Sequence, residues 1–194
     1  MKNSKTRMMV EGAIMVALAT VLSLIKVFEL PWGGAITLLS MLPICMFSIK
    51  YGIKKGFAVS FIYSLVQLFL SLGSVLSWGL TVGVLIACIV LDYIAAFTVL
   101  GIAGILRSKG AAGWICGTVL AIFLRFVCHF ISGCTIWWYG FGELWSGFST
   151  ENAFIYSLLY NGSYMLPEMI ITGIAAFILF KAPQTKRLLT ESSN

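Results

Sequence analysis

Charged residues make up only 10% of this 194-residue chain, against roughly 25% in soluble domains. The shortage runs along the whole length, so no segment reads as a soluble domain. There is one histidine and no HExxH, which argues against zinc hydrolysis. No GxxxxGK(S/T) loop occurs, so the chain does not bind ATP in the P-loop manner. The five cysteines form no CxxC pair and fall mostly within apolar segments, where they read as small packed hydrophobes. No nucleophile–base pair stands out, because His129 has only Cys128 beside it, on a different helical face. A membrane enzyme is therefore disfavoured. Internal repeats and low-complexity segments are also missing, which leaves one membrane domain, 1–194.

What fills the chain is apolar: 60% hydrophobic and 14% aromatic residues, with a mean hydropathy of +0.99. This composition predicts an all-α integral membrane protein. Six apolar segments can be marked, at about 8–28, 36–50, 56–75, 79–106, 111–134 and 153–181. The first follows a basic head as a signal peptide would. It runs well past Ala17-Leu18-Ala19, so it reads as a retained helix. The second is short and holds Pro43, which suggests a tilted, broken or re-entrant piece.

The net charge of +6 does not point to nucleic acid, because the basic residues lie between apolar runs. Lys2, Lys5 and Arg7, then Lys50, Lys54 and Lys55, then Arg107 and Lys109, then Lys181, Lys186 and Arg187 all share one side if the chain crosses six times. The positive-inside rule then puts both termini in the cytoplasm of a plasma-membrane protein.

Against this background the buried polar groups are conspicuous. At about 1.5 Å per residue from the cytoplasmic side, Arg125, Asp92 and Glu168 fall at roughly 22, 21 and 20 Å. They are expected to converge at one level in the outer half of the bilayer. Arg125 and His129 share a helix face, and so do Asn161, Tyr164 and Glu168. Tyr93 adjoins Asp92, and Tyr156 lies near His129 in depth. Charges at this depth cost several kcal/mol unless paired or wetted. Two readings stand: an ion pair of Arg125 with Glu168 or Asp92 tying helices together, or a shared ligand cavity.

The segment before the last helix crowds Trp137, Trp138, Tyr139, Phe141, Trp145 and Phe148 into twelve positions. Such a cluster suits an interfacial belt, or a lid whose rings stack on a flat cation. Pro167 removes an N–H and frees the Ser163 carbonyl. Ala13 and Ala17 form an AxxxA pair, a spacing that lets another helix approach.

The stretches "LPWGGAITLLSMLPI", "YGIKKGF", "LDYIAAFTVLGIAGI", "RFVCHFISG" and "YSLLYNGSYMLPE" together resemble the thiamine-specific substrate-binding (S) components of energy-coupling factor transporters. The resemblance covers most of the chain. It implies six helices, a thiamine pocket near the outer surface and a gate formed by the loop after helix 1. It also implies partners: a transmembrane coupling subunit and two ATPase subunits, which use the ATP, so that this chain binds no cofactor and no metal. Carried over by position, Asp92, Tyr93, His129, Trp137, Tyr156 and Asn161 resemble pocket residues. Ala13 and Ala17 resemble the motif that docks on the coupling subunit. Glu168, Arg125, Trp138, Tyr164 and Trp32 are further ligand or ion-pair candidates. The chain departs from the family at Leu38, where some members are acidic, and at Gly34, where some carry tryptophan. Trp32 and Glu168 are the residues available to compensate.

The implied function is high-affinity thiamine binding for an ATP-driven uptake transporter, without catalysis. A stand-alone carrier coupled to protons or sodium is the competing class. Six helices without a visible repeat are few for alternating access.

Overall fold

The computed structural model describes residues 2–30, 33–138, 143–145 and 148–190. Helix α1, Lys2–Leu24, closes with a tight turn in which the Ile25 N–H reaches the Leu22 carbonyl at 3.2 Å. The chain then turns extended rather than continuing helical to residue 28. Strands β1, Lys26–Glu29, and β2, Ala35–Thr37, form an antiparallel hairpin. Val27, Phe28, Ile36 and Thr37 are strand formers, and the Gly33–Gly34 pair between the strands opposes a helix. The second apolar segment is accordingly helical only over α2, Leu42–Tyr51. Pro43 sits in its first turn, where a missing N–H costs nothing; it starts the helix instead of breaking it.

Helix α3, Ile53–Ser77, leads to a long helical run, α4, over residues 82–109. This run is not uniform. An α-helical start, Val82–Cys88, opens into a π stretch, Ile89–Ala95, passes one α turn and tightens into a 3-10 stretch, Val99–Lys109. The backbone then reverses through Leu106 (φ −103°, ψ 20°) and Gly110 (φ 65°). The Trp114 indole N–H closes this corner on the Arg107 carbonyl at 2.8 Å. Helix α5 occupies residues 110–137, its last turn again π-helical over Gly133–Trp137. Two short strands, β3 (Glu143–Trp145) and β4 (Phe148–Ser149), precede α6, Ala153–Lys181, and α7, Pro183–Thr190. Asn152 caps α6: its side-chain oxygen accepts the N–H groups of Phe154 (2.9 Å) and Ile155 (3.1 Å).

Four helical runs are long and apolar enough to cross a membrane: Lys5–Leu24, Ile53–Ser77, Val82–Trp137 and Ala153–Lys181. The third has 56 residues but doubles back at Gly110, so α4 and α5 are antiparallel arms. The outward faces are apolar; Met9, Ile14, Val21, Phe69, Ile170 and Ile178 are all exposed. The interior instead holds Ser48, Ser60, Thr118, Arg125, Asn161 and Glu168. A greasy exterior around a partly polar interior is the arrangement expected in lipid.

Apart from Lys26 on the hairpin and Arg125 in the interior, the described basic residues gather at one end. There Glu11 of α1 accepts Arg7 (2.9 Å), Lys50 (2.6 Å) and the Tyr51 hydroxyl (2.9 Å). The α2–α3 and α4–α5 turns meet at the same end, since a side chain at Gly52 would lie 2.8 Å from the Arg107 guanidinium. The hairpin lies at the other end, where it roofs a cavity.

Candidate ligand-binding site

The cavity has a volume of about 200 Å³ and is walled by the hairpin and by α3, α4, α5 and α6. Its organising group is Asp92, carried on the π stretch of α4. A π turn widens the helix and redirects its side chains, and such turns recur at functional sites. The carboxylate takes three donors from α5: His129 Nδ1 at 2.9 Å, Ser132 Oγ at 2.6 Å and Trp137 Nε1 at 2.9 Å. Side chains of Asp92 and His129 are only 12% and 11% exposed. With Nδ1 donating to the carboxylate, a neutral imidazole presents Nε2 as an acceptor. Nε2 is buried and has no protein partner among the described residues. Its acceptor capacity is therefore unused within the described residues.

Helix α6 supplies the facing wall. Asn161 donates to the His129 carbonyl (3.1 Å) and to Ser157 Oγ (3.0 Å), and accepts the Tyr164 hydroxyl (2.9 Å). Ser157 donates in turn to the Phe130 carbonyl at 2.7 Å. This close seam explains the glycine that ends "RFVCHFISG". A side chain at Gly133 would overlap Ser157 Oγ and lie 2.7 Å from Asn161 Nδ2.

Aromatic rings complete the enclosure. Trp78 meets Trp137 edge-on at 4.9 Å and 89°. Tyr156 stacks on Tyr160 at 5.8 Å and 12°, and its buried hydroxyl has no partner among the described residues. Tyr93 and Tyr164 also line the space. Arg125 forms part of the floor. Its guanidinium lies 4.2 Å from the centre of the Phe97 ring, and Nη1 approaches Met41 Sδ at 2.8 Å.

The structure thus brings Asp92, Tyr93, Arg125, His129, Trp137, Tyr156, Asn161 and Tyr164 to one cavity. Several expectations need correction. Asp92 does not share a level with Arg125: it bonds residues one to two turns beyond Arg125 on α5. The 3-10 stretch below Asp92 rises about 2.0 Å per residue instead of 1.5 Å, which carries it further along the bundle than a constant rise would. Arg125 has no carboxylate within ion-pair distance among the described residues, so the expected pair with Glu168 or Asp92 does not form. Glu168 is not on the cavity wall; it is 1% exposed and bonds Thr37 of the hairpin. Trp138 packs against the hydrophobic core, not on the cavity wall, because the π turn directs Trp137 inward. Trp32, Tyr139 and Phe141 lie outside the described residues, as do the side chains of Trp145 and Phe148. Gly34 leaves no room for a tryptophan, since even a Cβ there would lie 2.7 Å from the Tyr164 ring. Ala13 and Ala17 are exposed on α1, away from the cavity.

Trp78, Ser132 and Tyr160 were not anticipated. Ser132 sits three residues after His129 on the same helix face, so it was legible by spacing. Trp78 belongs to a different helix end, and only the tertiary fold brings it to Trp137.

A family model described as thiamine transporter protein matches residues 9–188. The thiamine transporter ThiT of Bacillus subtilis (strain 168) is 31% identical over 188 residues, covering 89% of each chain. A solved structure of ThiT from Listeria monocytogenes superposes with a TM-score of 0.72 at 22% identity, covering 94% of this chain and 98% of that one. That likeness establishes a shared fold.

Proposed function

The chain belongs to the thiamine transporter family, and we propose that it is the high-affinity thiamine-binding membrane subunit of an ATP-driven uptake system. It is a transporter protein rather than an enzyme. The observation that carries the binding role is the Asp92 wall. A single carboxylate is locked by donors from His129, Ser132 and Trp137 beside a cavity of aromatic rings. Thiamine joins an aminopyrimidine to a cationic thiazolium. Asp92 offsets the thiazolium charge, and the rings of Trp78, Trp137 and Tyr93 offer cation–π and stacking surfaces. His129 Nε2 and the Tyr156 hydroxyl, both without protein partners among the described residues, take the polar edges of the pyrimidine. Asn161 acts differently from a ligand donor: both of its polar atoms are engaged, so it holds His129 and Tyr164 in position.

Charge balance favours the same ligand. Lys26 and Glu29 neutralise one another at 2.5 Å. Asp92 and Glu168 against Arg125 leave one negative charge when both acids are ionised, which a monocation cancels. A phosphorylated ligand would bring negative charge towards Asp92 and is disfavoured.

In this reading the chain crosses the membrane six times, α2 and the residues before it forming the short crossing, with both termini cytoplasmic. The basic residues at the end opposite the hairpin support this orientation. Energy comes from a separate module, a transmembrane coupling subunit with two ATPases, which the exposed Ala13–Ala17 face of α1 would meet. The test of binding is tryptophan fluorescence of the purified chain titrated with thiamine. Saturable quenching is expected, and an unchanged signal together with no heat in calorimetry rejects the proposal. Reconstitution with and without the ATPase module tests the coupling. Uptake driven by an ion gradient alone would overturn it.

A further inference from the structure

Glu168 is the second buried carboxylate, and the binding site does not use it. It is 1% exposed, lies one residue after Pro167 on α6, and is absent from the cavity wall. Its Oε1 accepts both the backbone N–H of Thr37, at 3.4 Å, and the Thr37 hydroxyl. Its Oε2 has no hydrogen-bond partner among the described residues, and no cation lies within ion-pair distance among them. The Arg125 charge lies near enough to act on it, but both of its hydrogen bonds among the described residues go to one residue of a two-stranded hairpin, which needs a reason.

The hairpin gives that reason. Its inner leg, Gly33 to Thr37, lines the cavity. Its outer leg exposes Val27 (66%) and Phe28 (53%), so little packing holds that side in place within the chain. An isolated two-stranded hairpin is marginally stable at best. Gly34 packs against the Tyr164 ring, and Thr37 is where the inner leg hydrogen-bonds α6. It also bonds Ser40 at 2.7 Å, and Leu39 just beyond it adopts the left-handed φ of 59° that turns the chain into α2. Pairing of Thr37 with Lys26 passes the anchorage to the outer leg.

We infer that Glu168 is a positioning residue: through Thr37 it pins the inner leg of the hairpin to α6, and so sets how long a ligand stays beneath the roof. It does so without touching the ligand. The part concerning ligand residence rests on the thiamine-binding reading above. The pin itself does not.

Two measurements on the full purified chain separate these. The first is amide hydrogen exchange of residues 35–38 without ligand. Glu168→Ala should speed exchange there, and Thr37→Val should do the same. Glu168→Gln should stay close to the unchanged chain, because an amide oxygen still accepts both Thr37 donors. The second is release of radiolabelled thiamine into excess unlabelled thiamine. Glu168→Ala and Thr37→Val should each speed release roughly tenfold with little change in association, as expected when the hydrogen bond that holds the roof is lost. The double variant should be no faster than the faster single one, since both remove one contact. Unchanged exchange in Glu168→Ala overturns the pin, as does a Glu168→Gln variant as fast as Glu168→Ala. If Glu168→Ala does not fold, Thr37→Val with unchanged exchange overturns it. Altered exchange with unaltered release overturns the residence claim alone. Failure of the unchanged chain to retain thiamine overturns the functional reading and the residence claim together, and leaves exchange to decide the pin.

Discussion

Asp92 and Glu168 are two acids buried in the same apolar bundle, and they are solved in opposite ways. Asp92 is embraced by three donors from one neighbouring helix, at 2.6 to 2.9 Å, and lies beside open space. Glu168 is sealed from that space and holds a single residue of the hairpin. Asp92 finds partners for both oxygens and Glu168 for one, as a buried carboxylate requires partners. Only the first leaves its charge next to a cavity where a mobile cation can enter. Both are carboxylates inside the same bundle, so the difference lies in what the backbone places in front of each.

That comparison can be broken most directly at Asp92. Asp92→Ala removes the cavity-wall carboxylate that, among the described residues, has no lysine or arginine partner. It should weaken thiamine binding by about a hundredfold or more in calorimetry, as loss of a desolvated charged contact does. Asp92→Asn keeps an acceptor but loses the charge, and a roughly tenfold loss is expected. Equal affinities for Asp92→Asn and the unchanged chain would mean that charge is not what the wall supplies. Glu168→Ala should cost less equilibrium affinity than Asp92→Ala, because its effect falls on release. A larger loss at Glu168 would reverse the roles assigned to the two acids.

Smaller changes sharpen the picture. Gly133→Ala forces a methyl group into Ser157 and Asn161, so α5 and α6 must separate there. Binding should fall about tenfold with a lowered melting temperature, as for overpacking of a tight contact. Trp137→Phe removes the indole N–H from Asp92 but keeps a ring. A several-fold weaker affinity is expected, with reduced fluorescence quenching. Ser132→Ala removes one of Asp92's donors and should have the smallest effect, about threefold, because His129 and Trp137 still hold the carboxylate.

Much of this protein was legible as sequence. The shortage of charge and the spacing of apolar runs declare a membrane bundle. The helix spanning 153–181 has the expected limits, because a strong asparagine cap begins it. The 3.6-residue period alone puts Arg125 beneath His129 and aligns Asn161 with Tyr164. Candidate polar residues could be named because polar residues are rare in lipid-facing sequence and each demands a partner. The family resemblance named an overlapping set, Asp92, Tyr93, His129, Trp137, Tyr156 and Asn161.

What tertiary structure alone decided is how those groups divide their partners. A period counts positions along one helix and assumes a constant rise. It cannot foresee that α4 loosens into a π turn at Asp92 and tightens into a 3-10 stretch below it. That change of pitch moves Asp92 away from Arg125 and onto His129, Ser132 and Trp137. Nor can it tell that residues 26–29 pair with residues 35–37 as a hairpin over the cavity, with Thr37 reaching an acid 131 positions later. Sequence fixes which side chains must be satisfied inside the bilayer, because water is absent there. Which of them meet is a matter of distances between helices, and those exist only once the bundle has packed.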